Sequence, residues 1–130
     1  MNGIDYLLDT NLILGLLKSD PNSMALIADP QIDAGRCAYS AITRMELLGF
    51  PGITHAEASL ISSRLAQLVY VPISRTVEDE AIRLRRAHKI KLPDAVIAAS
   101  TLLFNARLLT HDKALDRVLS LETAARSEQP

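Results

Sequence analysis

Four carboxylates, Asp9, Glu46, Asp94 and Asp112, stand where a short hydrophobic run ends or along helices with an apolar face. Asp9 closes the run Tyr6-Leu7-Leu8, and Asp112 follows Leu109-Thr110-His111. Asp94 falls in the first turn of the most apolar helical segment, and Glu46 follows Ile42 by four residues, which sets it on or beside a helix's inward face. Each has a plain structural explanation: a turn or cap for Asp9, an ion pair or simple exposure for Glu46, a dipole-favoured aspartate for Asp94, a cap for Asp112. Convergence would mean something else. Two carboxylates about 4 Å apart repel by roughly 4 kcal/mol at an effective dielectric of about 20, so four in one pocket require protonation, basic partners or a cation. A divalent metal is the simplest answer. All-oxygen ligation suits magnesium or manganese, and no Cys-x-x-Cys or His-x-x-x-His spacing suggests zinc.

The elements that would position these acids alternate between strand and helix. Tyr6 to Asp9, Arg36 to Tyr39, Val69 to Ile73 and Arg107 to Thr110 read as strands, with Leu119 to Leu121 as a last edge strand. Helices are expected over Asn11 to Lys18, Asn22 to Asp29, Ala41 to Leu48 behind a Ser40 cap, and from a Thr54 cap to Leu68. Others are expected over Thr76 to His88, Asp94 to Asn105 and Lys113 to Val118. The Asp94 helix is apolar almost all round and should be the most buried. Such an order implies an α/β fold with a mostly parallel sheet, helices on both faces, and ligand sites at the carboxyl ends of the strands.

The 130 residues fit one domain, here 1–122, with 123–130 as a polar, frayed tail. With 48% hydrophobic and 22% charged residues, the composition is that of a soluble globular protein. The longest near-apolar stretch, Ala95 to Phe104, is far short of the roughly 20 residues of a membrane span. Asp5 and Asp9 within the first hydrophobic segment argue against a secretory signal, so a cytoplasmic location is expected. Cys37, the only cysteine, reads as a buried small hydrophobe. A net charge of −1 offers no bulk attraction for a polyanion. Local basic residues would have to supply it, and Arg83, Arg85, Arg86, Lys89 and Lys91 form the densest run, although a solvated helix face reads the same way. His55, His88 and His111 fall in no nucleophile or metal spacing; His111 alone lies beside the proposed pocket.

Four blocks in order, Tyr6-Leu7-Leu8-Asp9-Thr10-Asn11, Ser40-Ala41-Ile42-Thr43-Arg44-Met45-Glu46-Leu47, Leu92-Pro93-Asp94-Ala95-Val96-Ile97-Ala98-Ala99 and Leu108-Leu109-Thr110-His111-Asp112, run nearly end to end through the chain. Together they resemble the PIN domain, most closely the VapC-type toxins of toxin–antitoxin pairs. The resemblance implies a parallel α/β/α sandwich and metal-dependent cleavage of RNA. It makes Asp9, Glu46, Asp94 and Asp112 the acidic quartet, with Asp9, Asp94 and Asp112 on a Mg2+ or Mn2+ ion. Thr10 and Asn11 would support Asp9, and Thr110 would line the pocket. Asp116 stays outside the site, because the chain has Leu115-Asp116 where many relatives carry an acid followed by an aromatic. A homodimer and a small antitoxin whose tail covers the pocket are also implied.

Two other classes remain to be set against this. A magnesium-dependent phosphoryl-accepting domain would show Asp-x-Asp at the first strand or a lysine after a late one, where this chain has Asp9-Thr10-Asn11 and Thr110-His111. A catalytically silent module of the same fold, binding RNA or protein, would be expected to lose one or more of the acids.

Overall fold

The computed structural model describes residues 3–29 and 31–127. Four strands, β1 (Tyr6–Leu8), β2 (Cys37–Ser40), β3 (Val69–Val71) and β4 (Arg107–Leu109), form one sheet in the order β3-β2-β1-β4. Every pair is parallel, with Leu7 opposite Ala38 and Leu108, and Ala38 opposite Val69. Parallel neighbours need crossovers, which helices supply. Helices α1 (Thr10–Leu17), α2 (Pro21–Leu26), α3 (Ala41–Leu48) and α4 (His55–Leu65) precede β3. Helices α5 (Arg75–His88), α6 (Leu92–Leu103) and α7 (Lys113–Ser127) follow it.

The period of two along a strand sorts the core into two layers. Leu7 and Leu108 face α5, α6 and α7, where they pack with Leu84, Ile97, Leu115 and Leu119. Their neighbours Leu8 and Leu109, with Cys37 and Tyr39, face the other way onto Leu12, Ile13, Leu47, Ile61 and Leu65 from α1, α3 and α4. The result is a three-layer α/β/α sandwich. Residues Ala95 to Leu102 of α6 are all buried, so this helix is the central one, as its all-round apolar sequence requires. Thr54 caps α4 through a reciprocal pair with Glu57, and Ser40 caps α3. Among the described residues no helix is long and apolar enough to cross a membrane.

One expected element is corrected. The segment Leu119 to Leu121 is not an edge strand, and residues 123–127 are not frayed, because α7 runs unbroken to Ser127. Alternation in Leu119-Ser120-Leu121 mimics a strand, but the helical spacing of Leu115, Leu119 and Glu122 prevails: the two leucines enter the core, and Glu122 meets α5. There Glu122 accepts from Arg83 at 2.8 Å and pairs with His88 Nε2 at 2.7 Å, while Arg126 reaches Glu80 at 3.1 Å. The Arg83 bond is the main cause holding the Glu122 carboxyl below its ordinary range, with His88 adding to it against some burial. A depressed carboxyl contributes stability above its unfolded value, and that stability disappears as pH falls through the folded value. Glu122→Gln is therefore expected to cost about 1 kcal/mol at neutral pH. Thermal melts from pH 7 to pH 3 should show the gap between variant and wild type closing below the ordinary glutamate range.

Candidate active site

The site is assembled at the carboxyl ends of β1 and the neighbouring edge strand β4. Asp9 directly follows β1, and its amide donates to the Leu109 carbonyl at 3.1 Å, carrying the β1–β4 pairing one residue further. Its side chain caps α1, with Oδ1 accepting from the Thr10 amide at 2.9 Å, and Oδ2 accepts from Thr110 Oγ1 at 2.6 Å. A carboxylate only 7% exposed is thus held by two donors and, among the described residues, by no cation. Each oxygen still has a lone pair to offer. Thr110 in turn accepts from the Asp112 amide at 2.9 Å, and Asp112 Oδ1 caps α7 by accepting from the Leu115 amide at 3.0 Å. The capping role foreseen for Asp112 is real, and Oδ2 is left over.

Glu46 is exposed: of the placements on or beside the inward face, the structure has it beside that face. Thr43 and Leu47 on either side of it take the inner face of α3, and the i, i+4 relation to Ile42 leaves Glu46 at the margin of the apolar stripe. Its Oε1 nevertheless accepts from Thr10 Oγ1 at 2.9 Å, so α1 holds it at the rim of the site. Thr10 Oγ1 also lies 2.8 Å from Thr43 Oγ1, which is fully buried. Since the one Thr10 hydroxyl proton goes to Glu46, Thr43 must be the donor in that pair. Thr43 was not singled out in the sequence; a hydroxyl residue three positions before Glu46 on the same helix is the signal that could have found it. The side chain of Asn11 is exposed and makes no hydrogen bond to a described residue.

Asp94 differs from the other three. It sits half-buried in the first turn of α6 and takes no hydrogen bond from any described residue, so it is not a cap. Its carboxyl is raised above the ordinary aspartate value, first by burial, then by the charges of Asp112 and Asp9, with Glu46 adding a smaller push and Lys91 opposing. Residues following β1 and β4 and on α3 therefore all bear on a fourth acid at the start of α6. Asp116 is not among the charges acting on Asp94.

Among the described residues, no three Asp, Glu, His or Cys side chains converge tightly enough to enclose a metal ion. Those residues form no closed cage of the structural-zinc type; magnesium needs none, since it keeps several waters and takes one or two carboxylates together with substrate phosphate. The donor set fits: it is all oxygen, it carries excess negative charge, and Asp94 has both oxygens free. Of the basic run, Arg83 is occupied by Glu80 and Glu122, and Arg85 Nε donates to the Ile90 carbonyl at 3.2 Å. Lys91, three residues before Asp94, is a cation whose field reaches that carboxylate. A separate apolar groove of about 480 Å3, lined among others by Leu16, Leu17, Met24, Ile27 and Leu60, contains none of the four acids.

The PIN-domain family model matches residues 6–119. The chain belongs to the PIN-domain family. Its PIN fold is similar to a chain of a toxin–antitoxin complex from Klebsiella pneumoniae, at 26% identity and a TM-score of 0.73 over 83% of this chain and 87% of that one. It is also similar to a chain of VapBC-1 from nontypeable Haemophilus influenzae, at 23% identity and a TM-score of 0.73 over 90% and 93%. A chain of FitAcB from Neisseria gonorrhoeae matches at 22% identity and a TM-score of 0.72 over 88% and 93%. At those two lower identities the likeness is one of fold. No curated protein sequence matches the chain.

The hydroxyl relay carries a prediction. Thr43→Val keeps the volume but removes the proton that fixes the Thr10 rotor, and should lower turnover by on the order of tenfold with a stability change within about 1 kcal/mol. Thr43→Ser should restore turnover in the same assay.

Proposed function

We propose that this PIN domain is a magnesium- or manganese-dependent endoribonuclease and the toxin of a toxin–antitoxin pair. The observation that carries the reading is Asp94: a helix-opening carboxylate that caps nothing, pushed upward first by burial and then by the charges of Asp112, Asp9 and Glu46, which other elements bring to it. Such a cluster is costly unless a cation is bound, and cleavage chemistry would repay that cost. Membership of the PIN family and the 26% identical chain from a toxin–antitoxin complex support the assignment.

Asp9, through a remaining lone pair, Asp94, through an unbonded oxygen, and Asp112, through Oδ2, would hold the ion, directly or through its bound waters. Bound there, the metal would supply Lewis-acid stabilisation of the charge that builds on the phosphoryl oxygens. Glu46, with Oε1 fixed by Thr10, presents Oε2 to solvent and orients the attacking water for its approach to phosphorus. As the new P–O bond forms and the bridging P–O bond breaks, the proton of that water passes to Glu46 Oε2, and the leaving ribose oxygen takes a proton from solvent water to depart as a hydroxyl. Lys91 offsets substrate charge beside the acids, which an RNA strand needs in a protein with a net charge of −1. A protein antitoxin, a homodimeric assembly and residence in the cytoplasm complete the proposal.

The test is cleavage of a mixed cellular RNA pool by protein freed of any co-purifying partner, with magnesium, manganese or chelator, alongside single-stranded DNA of matching sequence. Cutting of RNA that stops with chelator, at sites revealed by end mapping, is the expected result. Tight RNA binding by folded protein without cleavage under either ion would instead favour a silent binding module.

A further inference from the structure

A buried polar chain joins two segments far apart in sequence. Ser23, in the first turn of α2, is 1% exposed, and both its amide and its hydroxyl donate to Asp20 Oδ2, at 3.0 and 2.9 Å. Its Oγ also lies 3.1 Å from Nε2 of His111. Because the only hydroxyl proton is committed to Asp20, the Ser23 oxygen is the acceptor here and Nε2 of His111 carries the N–H. The backbone makes room for this contact. A Cβ at Gly15 would stand 2.0 Å from Ser23 Oγ, and the Gly15 carbonyl accepts from the Asp20 amide at 2.8 Å. Asp20 and Ser23 are therefore fixed against α1 before His111 meets them.

His111 lies between Thr110, which donates to Asp9, and Asp112, which caps α7. Its own side chain is at the surface, so the bond to Ser23 is a specific attachment at the rim and not a demand of core burial. We propose that His111 is a positioning residue of the acidic site: its bond to Ser23 clamps the three-residue connection between β4 and α7 and so sets Thr110 and Asp112 against Asp9 and Asp94. The inference rests on the reading of these carboxylates as a metal site. Ligands on a short loop are placed only as well as the groups that hold the loop, and a shift of about 1 Å is enough to weaken a site.

Calorimetric titration with Mn2+ of wild type, His111→Ala, His111→Gln, Asp112→Asn and the His111→Ala/Asp112→Asn pair tests it. Ile61→Val, in the core that α4 shares with α1, serves as a packing control. His111→Ala should bind Mn2+ on the order of tenfold more weakly, and His111→Gln, whose amide can donate to Ser23, should recover part of the loss. With Asp112 already neutralised, removing His111 should change little further. Unaltered Mn2+ affinity in His111→Ala, full additivity in the double variant, or an equal loss in Ile61→Val would overturn the positioning role. Those outcomes leave the wild-type titration intact, whereas a wild type that takes up no Mn2+ removes the metal site itself and the proposal with it.

Discussion

Asp94→Asn is expected to lower RNA cleavage by on the order of a thousandfold while raising the metal-free melting temperature by a few degrees. The two effects have opposite signs for one reason. Burial and the charges of Asp112, Asp9 and Glu46 disfavour an ionised Asp94, and an amide of the same shape is spared both. A carboxyl raised in the folded state is neutral and harmless below its unfolded value, and its penalty grows as pH rises through the folded value. Without metal, wild type should therefore gain stability as pH falls from neutrality toward the carboxylate range, and Asp94→Asn should flatten that gain. Adding Mg2+ should raise the wild-type melting temperature and leave that of the variant almost unmoved. Were Asp94 merely a helix-opening residue, the substitution would leave cleavage intact and cost up to about 1 kcal/mol.

The largest stability effect is expected at Gly15. Its backbone angles suit any residue, but an added Cβ would meet both Ser23 Oγ and Ser23 Cβ, the latter at 2.8 Å. Neither atom is the far end of a flexible chain. Gly15→Ala should cost about 1–3 kcal/mol, the range for overpacking a close contact. Chemical denaturation of Gly15→Ala, Ser23→Gly and the double variant separates the causes: the double should be markedly more stable than the sum of the single effects implies, because removing the Ser23 side chain frees the space. Strict additivity would show that the two residues do not compete for one volume.

What was legible in the sequence follows how local each cause is. Strand ends carrying Asp9 and Asp112, the Ser40 and Thr54 caps, and the all-apolar α6 are written in neighbouring residues, and their positions emerged from periodicity and cap chemistry. Glu46 shows the limit of that reasoning: helical spacing placed it near the inward face, yet α1 decided that Thr43 would be buried and Glu46 would stand at the rim. The donor from Thr43 to Thr10 and the bond from His111 to Ser23 join residues 33 and 88 positions apart, so the partner in each bond lies outside the local pattern of the other. Leu119-Ser120-Leu121 misled in the other direction, since a three-residue alternation is too short to outweigh a helix face completed by the bond of Glu122 to Arg83 of α5.

The carboxylates are proposed to meet on a metal ion. Crystals grown with Mn2+ and measured at the manganese absorption edge test it most directly. An anomalous peak within coordination distance of the Asp9 and Asp94 carboxylates, absent from Asp94→Asn crystals, is the expected result. Mn2+-bathed crystals with no peak there, and with Asp9 still bonded only to Thr10 and Thr110, would contradict it.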